Sequence, residues 1–159
     1  MEKSIIVEDL LISYSITGDS LPTLVFLHGW GSNKNVWDRV IENFSQDFRC
    51  LAIDLPGFGK SQMPSKTLSV HDYSRIINKL LDKLDLGELV LIGHSFGGAI
   101  SIVLSSINEV RIRKLILVDS SGIRLKREKF AVVALGAKIL SPLFKPKFMQ
   151  GLRRKVYKF

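Results

Sequence analysis

The chain has one cysteine, Cys50, so no internal disulfide can hold it together. No apolar run approaches the roughly 18 residues of a membrane-spanning helix. The opening "MEKSIIVEDL" lacks the basic start and long apolar core of a secretory leader. These absences make a reducing cytoplasm the expected compartment. Histidine is scarce too: only His28, His71 and His94 are available to any chemistry that needs an imidazole. No cluster of His, Cys, Asp and Glu has the spacing of a metal site, and there is neither an internal repeat nor a low-complexity tract. Acid nearly disappears from the last quarter. Residues 120–159 carry 11 Lys and Arg against Glu128 alone, a net +10, whereas residues 1–119 carry 12 against 14 acids, a net −2. The chain changes character near residue 120.

What is present is enough for one packed domain: 159 residues, 46% hydrophobic and 24% charged. "SIIV" and "LLISYSITG" flank Glu8-Asp9 and read as two strands joined by a tight turn. "TLVFLHG", "FRCLAIDL", "ELVLIGH" and "RKLILVD" are short, nearly continuous apolar runs, the pattern of strands buried on both faces. Between them lie helical patterns. Residues 33–44 place Val36, Trp37, Val40, Ile41 and Phe44 at helical spacing behind Asn33 or Asn35 as cap. A second helix begins at Ser69 as N-cap, buries Tyr73, Ile76, Ile77, Leu80, Leu81 and Leu84, and stops at Gly87. "FGGAISIVLSSI" is a third, rich in small residues. The alternation β, α, β, α, β, α, β predicts an α/β fold: a mostly parallel sheet with helices on both faces and an antiparallel hairpin at one edge.

One junction stands out. Gly93-His94-Ser95-Phe96-Gly97 places a hydroxyl between a strand and a helix, in the pattern G-x-S-x-G. The turn must be sharp, and side chains two positions either side of Ser95 would collide. The hydroxyl would project at the carboxyl ends of the strands, where such sheets carry their sites, beside the N–H groups of the following helix. A plainer reading makes Ser95 a helix cap within a glycine turn.

Four motifs, "FLHGWGSN", "AIDLPGFGKS", "LIGHSFGGAI" and "KLILVDSSG", resemble the α/β-hydrolase fold family in order and spacing, most closely its serine hydrolase branch with a helical cap. The resemblance covers residues 1 to about 125. It implies a hydrolase core over 1–122, with six strands, and the start of a helical cap or lid over 123–159. It implies that Ser95 is the nucleophile and that the backbone N–H groups of Trp30 and Phe96 form the oxyanion hole. Asp119, after "LILV", is the candidate acid, where some members carry it; its other reading is structural. Asp54 and Ser61 are expected to brace loops.

A serine needs a base, usually a histidine held by a carboxylate. His28 falls in the oxyanion loop, His94 precedes Ser95 and should point away from its hydroxyl, and His71 opens a helix. None stands at the family's base position, far downstream. The resemblance therefore implies an incomplete chain, a truncated reading frame or an N-terminal fragment, inactive alone. The full-length relative would hydrolyse an ester or a related acyl or C–C bond of a small molecule, with no metal or organic cofactor. The alternative is a non-catalytic ligand-binding or receptor protein on the same scaffold. The strand "RKLILVD" would be an exposed apolar edge open to self-association. The basic segment 124–158 reads as a solvated cap, as a weak contact with anionic membrane surfaces or as selection for an anionic substrate; no nucleic-acid motif accompanies it.

Overall fold

A computed structural model describes residues 2–107 and 111–122. The cap expected over 123–159 lies outside the described residues. Strands β1 (Glu2–Val7) and β2 (Leu10–Thr17) form the expected hairpin. Both of its turn residues, Glu8 and Asp9, have positive φ (48° and 64°), the backbone that matches the twist of a two-residue hairpin. Glu8 is secured there by ion pairs to Arg75 and Lys79.

The remaining elements alternate: β3 (Thr23–Leu27), a 3₁₀ turn (Lys34–Trp37) running into α1 (Asp38–Phe44), β4 (Arg49–Ile53), α2 (Val70–Leu84), β5 (Leu89–His94), α3 (Phe96–Ile107) and β6 (Ile112–Val118). The sheet order is β1-β2-β4-β3-β5-β6, antiparallel in its first two pairings and parallel thereafter. The strand order reverses at β3, so the ends of β3 and β5 form the crevice in which sheets of this kind place their sites.

Period-two alternation sorts the core into two layers. Val25, Leu27, Leu51, Ile53, Leu89 and Leu91 face α2 and α3, packing on Ile76, Ile77, Leu80, Ile100 and Leu104. Their sequence neighbours Leu24, Phe26, Cys50, Ala52, Val90 and Ile92 face the other way, onto Trp37 and Ile41. Helices thus cover both faces, as the continuous apolar strands required. α2 starts where expected: the Ser69 hydroxyl accepts the Asp72 N–H while the Asp72 carboxylate accepts the Ser69 N–H. Its end comes slightly early, at left-handed Asp85 (φ 46°), two residues before Gly87.

The segment 33–44 departs from the single helix expected. Asn33 caps it, but the Lys34 N–H is taken by the Asp54 carboxylate, and the chain makes a tighter 3₁₀ turn before α1. The change of period leaves Val36 and Phe44 exposed, while Trp37 and Ile41 stay in the core. The buried Trp37 indole Nε1 has no partner among the described residues. Beyond α1 the same sheet face opens into an apolar groove of about 700 Å³ floored by Phe26, Val90, Ile92 and Val118.

Asp54 braces loops, as expected, through a buried charge pair. Its Oδ2 accepts from Lys34 Nζ (2.7 Å) and the Lys60 N–H (3.0 Å), and its Oδ1 from the Lys34 N–H (2.7 Å). Lys34 Nζ also reaches Glu2 (2.9 Å) and Ser13 (3.1 Å). The Ser61 hydroxyl donates to the Asp54 carbonyl (2.6 Å) and accepts the Ser13 N–H (2.9 Å). Gly59 sits so close that any Cβ there would strike the Asp54 carboxylate. Burial pushes the Asp54 carboxyl up, but the Lys34 ammonium and two backbone N–H groups outweigh it and hold it below its ordinary value. Lys34→Met leaves that carboxylate buried without its cation and should cost about 3–5 kcal/mol in urea unfolding. Asp54→Ala, which orphans two N–H groups as well, should cost more. Because the folded carboxyl is depressed, this stability is present above the ordinary value of 3.8 and lost as pH falls through the folded one. A Lys34→Met chain as stable as the parent would refute the assignment.

Candidate active site

β5 carries Leu91 and Ile92 in the core, and the chain must leave the sheet at His94 and enter α3 at Phe96. Ser95 alone makes the turn, with φ 49°, a left-handed backbone that side chains rarely adopt. The flanking glycines answer for the space. A Cβ on Gly93 would lie 2.6 Å from the Gly97 carbonyl oxygen, and one on Gly97 would lie 2.6 Å from that of His28. α3 therefore rests directly on the end of β3.

That end is fixed by His28, fully buried after β3. Its Nδ1 lies 2.8 Å from the Gly29 carbonyl and its Nε2 accepts the Leu55 N–H at 3.0 Å. Nδ1 must carry the proton, so the ring is neutral and both nitrogens are engaged. Burial holds its pKa below the ordinary 6.5; the Gly29 carbonyl and the Asp54 charge oppose this without reversing it. The next residue, Gly29, runs against the elbow: a Cβ there would lie 3.0 Å from His94 Nδ1 and 3.3 Å from Ser95 Cβ.

Trp30 follows, 68% exposed, with its ring edge-on to Phe58 (5.0 Å) and Phe96 (5.2 Å). Tyr73 packs edge-on to Phe96 from α2. The two residues expected to supply oxyanion donors thus stand in contact beside Ser95. Among the described residues, nothing accepts from the backbone N–H of Trp30 or of Phe96. A cleft of about 440 Å³ runs from Trp30 past Phe58 and Met63 to Tyr73.

Asp119 lies one residue beyond Val118, whose carbonyl accepts the Ser95 N–H (3.1 Å). It is exposed, left-handed at φ 43°, and makes no hydrogen bond or ion pair with a described residue. His71 is exposed in the first turn of α2, and His94 is half-buried beside Gly29. No described residue hydrogen-bonds the Ser95 hydroxyl, and no described cluster could hold a metal ion.

Sequence reasoning passed over two parts of this arrangement. It placed His28 in the loop without seeing that the ring ties that loop to Leu55. It quoted "VDSSG" without a role for its serines, although Ser121 donates from both its N–H and its hydroxyl to the Ser95 carbonyl, each at 3.0 Å. A polar Ser-Ser-Gly directly after a buried strand was the available signal.

A family model described as alpha/beta hydrolase fold matches residues 22–156. The chain belongs to the alpha/beta hydrolase fold family. Among curated relatives, it is 34% identical over 116 residues to the pimeloyl-[acyl-carrier protein] methyl ester esterase of Nitrosomonas europaea, covering 73% of this chain and 44% of the esterase. It is 30% identical over 151 residues to a 2-hydroxy-6-oxononadienedioate/2-hydroxy-6-oxononatrienedioate hydrolase of Pseudomonas putida, covering 92% of this chain and 53% of that one. Its structure matches that of a membrane phospholipase A, described as a bacterial virulence factor, with a TM-score of 0.77 and 29% identity over 86% of this chain and 45% of the phospholipase. The chain spans about a third to a half of the length of the curated relatives it matches. Among the described residues, no helix is long and apolar enough to cross a membrane.

His28 makes this site sensitive to acid. Its folded pKa lies below 6.5, so between the two values the unfolded chain binds more protons. Stability should therefore fall as pH drops from about 6.5 and level off below the folded value. His28→Gln keeps an amide donor and acceptor but cannot titrate, and should flatten that slope in thermal melts between pH 7 and 5. An unchanged slope in the variant would contradict the neutral, doubly engaged ring.

Proposed function

We propose that the chain carries the nucleophile and oxyanion hole of a serine hydrolase acting on an ester or a related acyl or C–C bond of a small molecule. The observation that carries this is the left-handed Ser95 beside two N–H groups, those of Trp30 and Phe96, that no described residue engages. The Ser95 oxygen would bond to the substrate carbonyl carbon as its proton passes to a base. The two N–H groups would receive the oxygen as it becomes anionic, a contribution of about 3–4 kcal/mol per donor in such sites. The bond to the leaving group then breaks, the leaving group takes the proton, and water releases the acyl group from Ser95. The relatives named as a methyl ester esterase and an oxo-dioate hydrolase support a carbonyl substrate. The chemistry calls for no metal or organic cofactor.

The base is not His28, whose nitrogens are both engaged. No described residue hydrogen-bonds the Ser95 hydroxyl, and Asp119 is the candidate acid to orient a base. That no described residue bonds the Ser95 hydroxyl also favours a second reading, a ligand-binding or receptor protein on the same scaffold. A fluorophosphonate probe separates the two on the longest product the gene encodes, with the 159-residue chain in parallel. The serine hydrolase should gain one adduct by intact mass and the Ser95→Ala variant none; a full-length product that never labels would leave the binding reading. An in-frame histidine downstream of the Phe159 codon would supply the missing base.

The reading extends to surroundings. β6 is the last strand of the described sheet, and Ile116 and Val118 are exposed beside its apolar groove. We expect self-association there, no nucleic-acid partner and a cytoplasmic location; the basic segment 124–158 is read as a solvated face, with weak attachment to anionic lipid as the alternative. Sedimentation reads the self-association and the lipid attachment. The chain should run larger than a monomer, and Val118→Lys should shift it down. Lipid attachment would show as co-sedimentation with anionic vesicles that vanishes at high salt. A monodisperse monomer, or binding indifferent to lipid charge, would remove the corresponding claim.

A further inference from the structure

Ser95 holds a backbone conformation that side chains resist, and such a conformation persists only where its surroundings over-determine it. Its carbonyl oxygen is where they converge. From α3 come the N–H groups of Gly98 (3.0 Å) and Ala99 (3.3 Å), the ordinary partners at a helix start. From the opposite side come the N–H and the hydroxyl of Ser121, each at 3.0 Å. The Ser95 N–H, in turn, donates to the Val118 carbonyl. Both peptide groups of Ser95 are therefore tied to the end of β6 and the turn after it.

A carbonyl has two lone pairs, and α3 alone supplies two donors. The Ser121 pair is thus more than satisfaction requires. The turn is shaped to deliver it. Asp119 and Gly122 are both left-handed (φ 43° and 93°), which bends the chain back across the elbow. Ser120 packs against Gly98, where any Cβ would collide with its side chain. The Ser120 hydroxyl donates to the Ser121 carbonyl (2.9 Å), and the Ser121 hydroxyl is left for Ser95.

We propose that Ser121 is a positioning residue: its N–H and hydroxyl clamp the Ser95 carbonyl, hold the left-handed elbow closed and make the direction of the Ser95 hydroxyl depend on β6 as much as on α3. The role in reaction rests on the reading of Ser95 as nucleophile; the clamp itself does not.

The test uses the whole chain and two readouts. Amide hydrogen exchange reads the clamp without any turnover. Ser121→Ala should speed exchange at Ser95, Gly98 and Ala99 by about fivefold to tenfold, the loss of one hydrogen bond. Amides of the β1–β2 hairpin should be unchanged, and Ser121→Thr should restore the parent rates. Ser106→Ala is the control, because among the described residues its hydroxyl bonds only to the Val103 carbonyl of the same helix. Unchanged exchange at 95–99, or faster exchange shared with the hairpin, would overturn the clamp. Fluorophosphonate labelling reads positioning. Ser121→Ala should lower the maximal labelling rate several-fold and leave the half-saturating probe concentration alone. Labelling at the parent rate would reduce Ser121 to a turn residue. Labelling is read on the longest product the gene encodes; if that product never labels, with the exchange difference intact, the nucleophile reading falls and the clamp stands.

Discussion

The first turn of α3 lies against the end of β3 with no room for a side chain at Gly97, because the carbonyls of Leu27 and His28 occupy that space. Much of the site follows from this contact. The helix can come so near only if the strand before it turns within one residue, which drives Ser95 into the left-handed region. With α3 in place, the residues after β3 must pass beside it, and Gly29 does so against Ser95 Cβ. Two elements distant in sequence thereby bring Trp30 and Phe96 into ring contact beside the elbow. Strain at a single residue is the cost of that convergence, and hydrogen bonds from β6 and its turn hold it.

A second constraint works on the other side of the loop. Lys34 and Asp54 join the turn after β3 to the turn after β4 through a charge pair shielded from solvent. His28 makes a parallel connection by accepting the Leu55 N–H. The loop bearing Trp30 is thus fastened on both flanks to the chain that leaves β4. Short buried bonds between segments, rather than local propensity, hold that loop.

Much of this was legible in the chain. Short apolar runs gave the strands and, for β3, β4 and β5, their burial on both faces, and period 3.6 gave the buried side of α2, because those signals are local; β6, at the edge of the described sheet, is left partly exposed. Gly93 and Gly97 announced a close approach, since crowding around a sharp turn restricts residue type wherever it occurs. The split of residues 33–44 was not legible. Asn33 and the apolar spacing both favour a helix, and only Asp54, twenty residues on, diverts the Lys34 N–H. The engagement of both His28 nitrogens and the reach of Ser121 were hidden for the same reason: each is a contact between segments that pattern reading treats one at a time. The family resemblance supplied the candidate roles of Ser95, Trp30, Phe96 and Asp119, which composition and spacing alone do not.

The chain has two tryptophans, and the fold puts them in opposite optical surroundings. Trp30 stands 68% exposed at the mouth of the cleft, while Trp37 is buried on the far face of the sheet, its indole nitrogen without a partner among the described residues. Water around the first indole shifts its emission to the red; the apolar face around the second keeps its emission blue. Occupation of the cleft and coverage of the opposite groove therefore act on different parts of one intrinsic spectrum, and the molecule reports on both surfaces without an added dye.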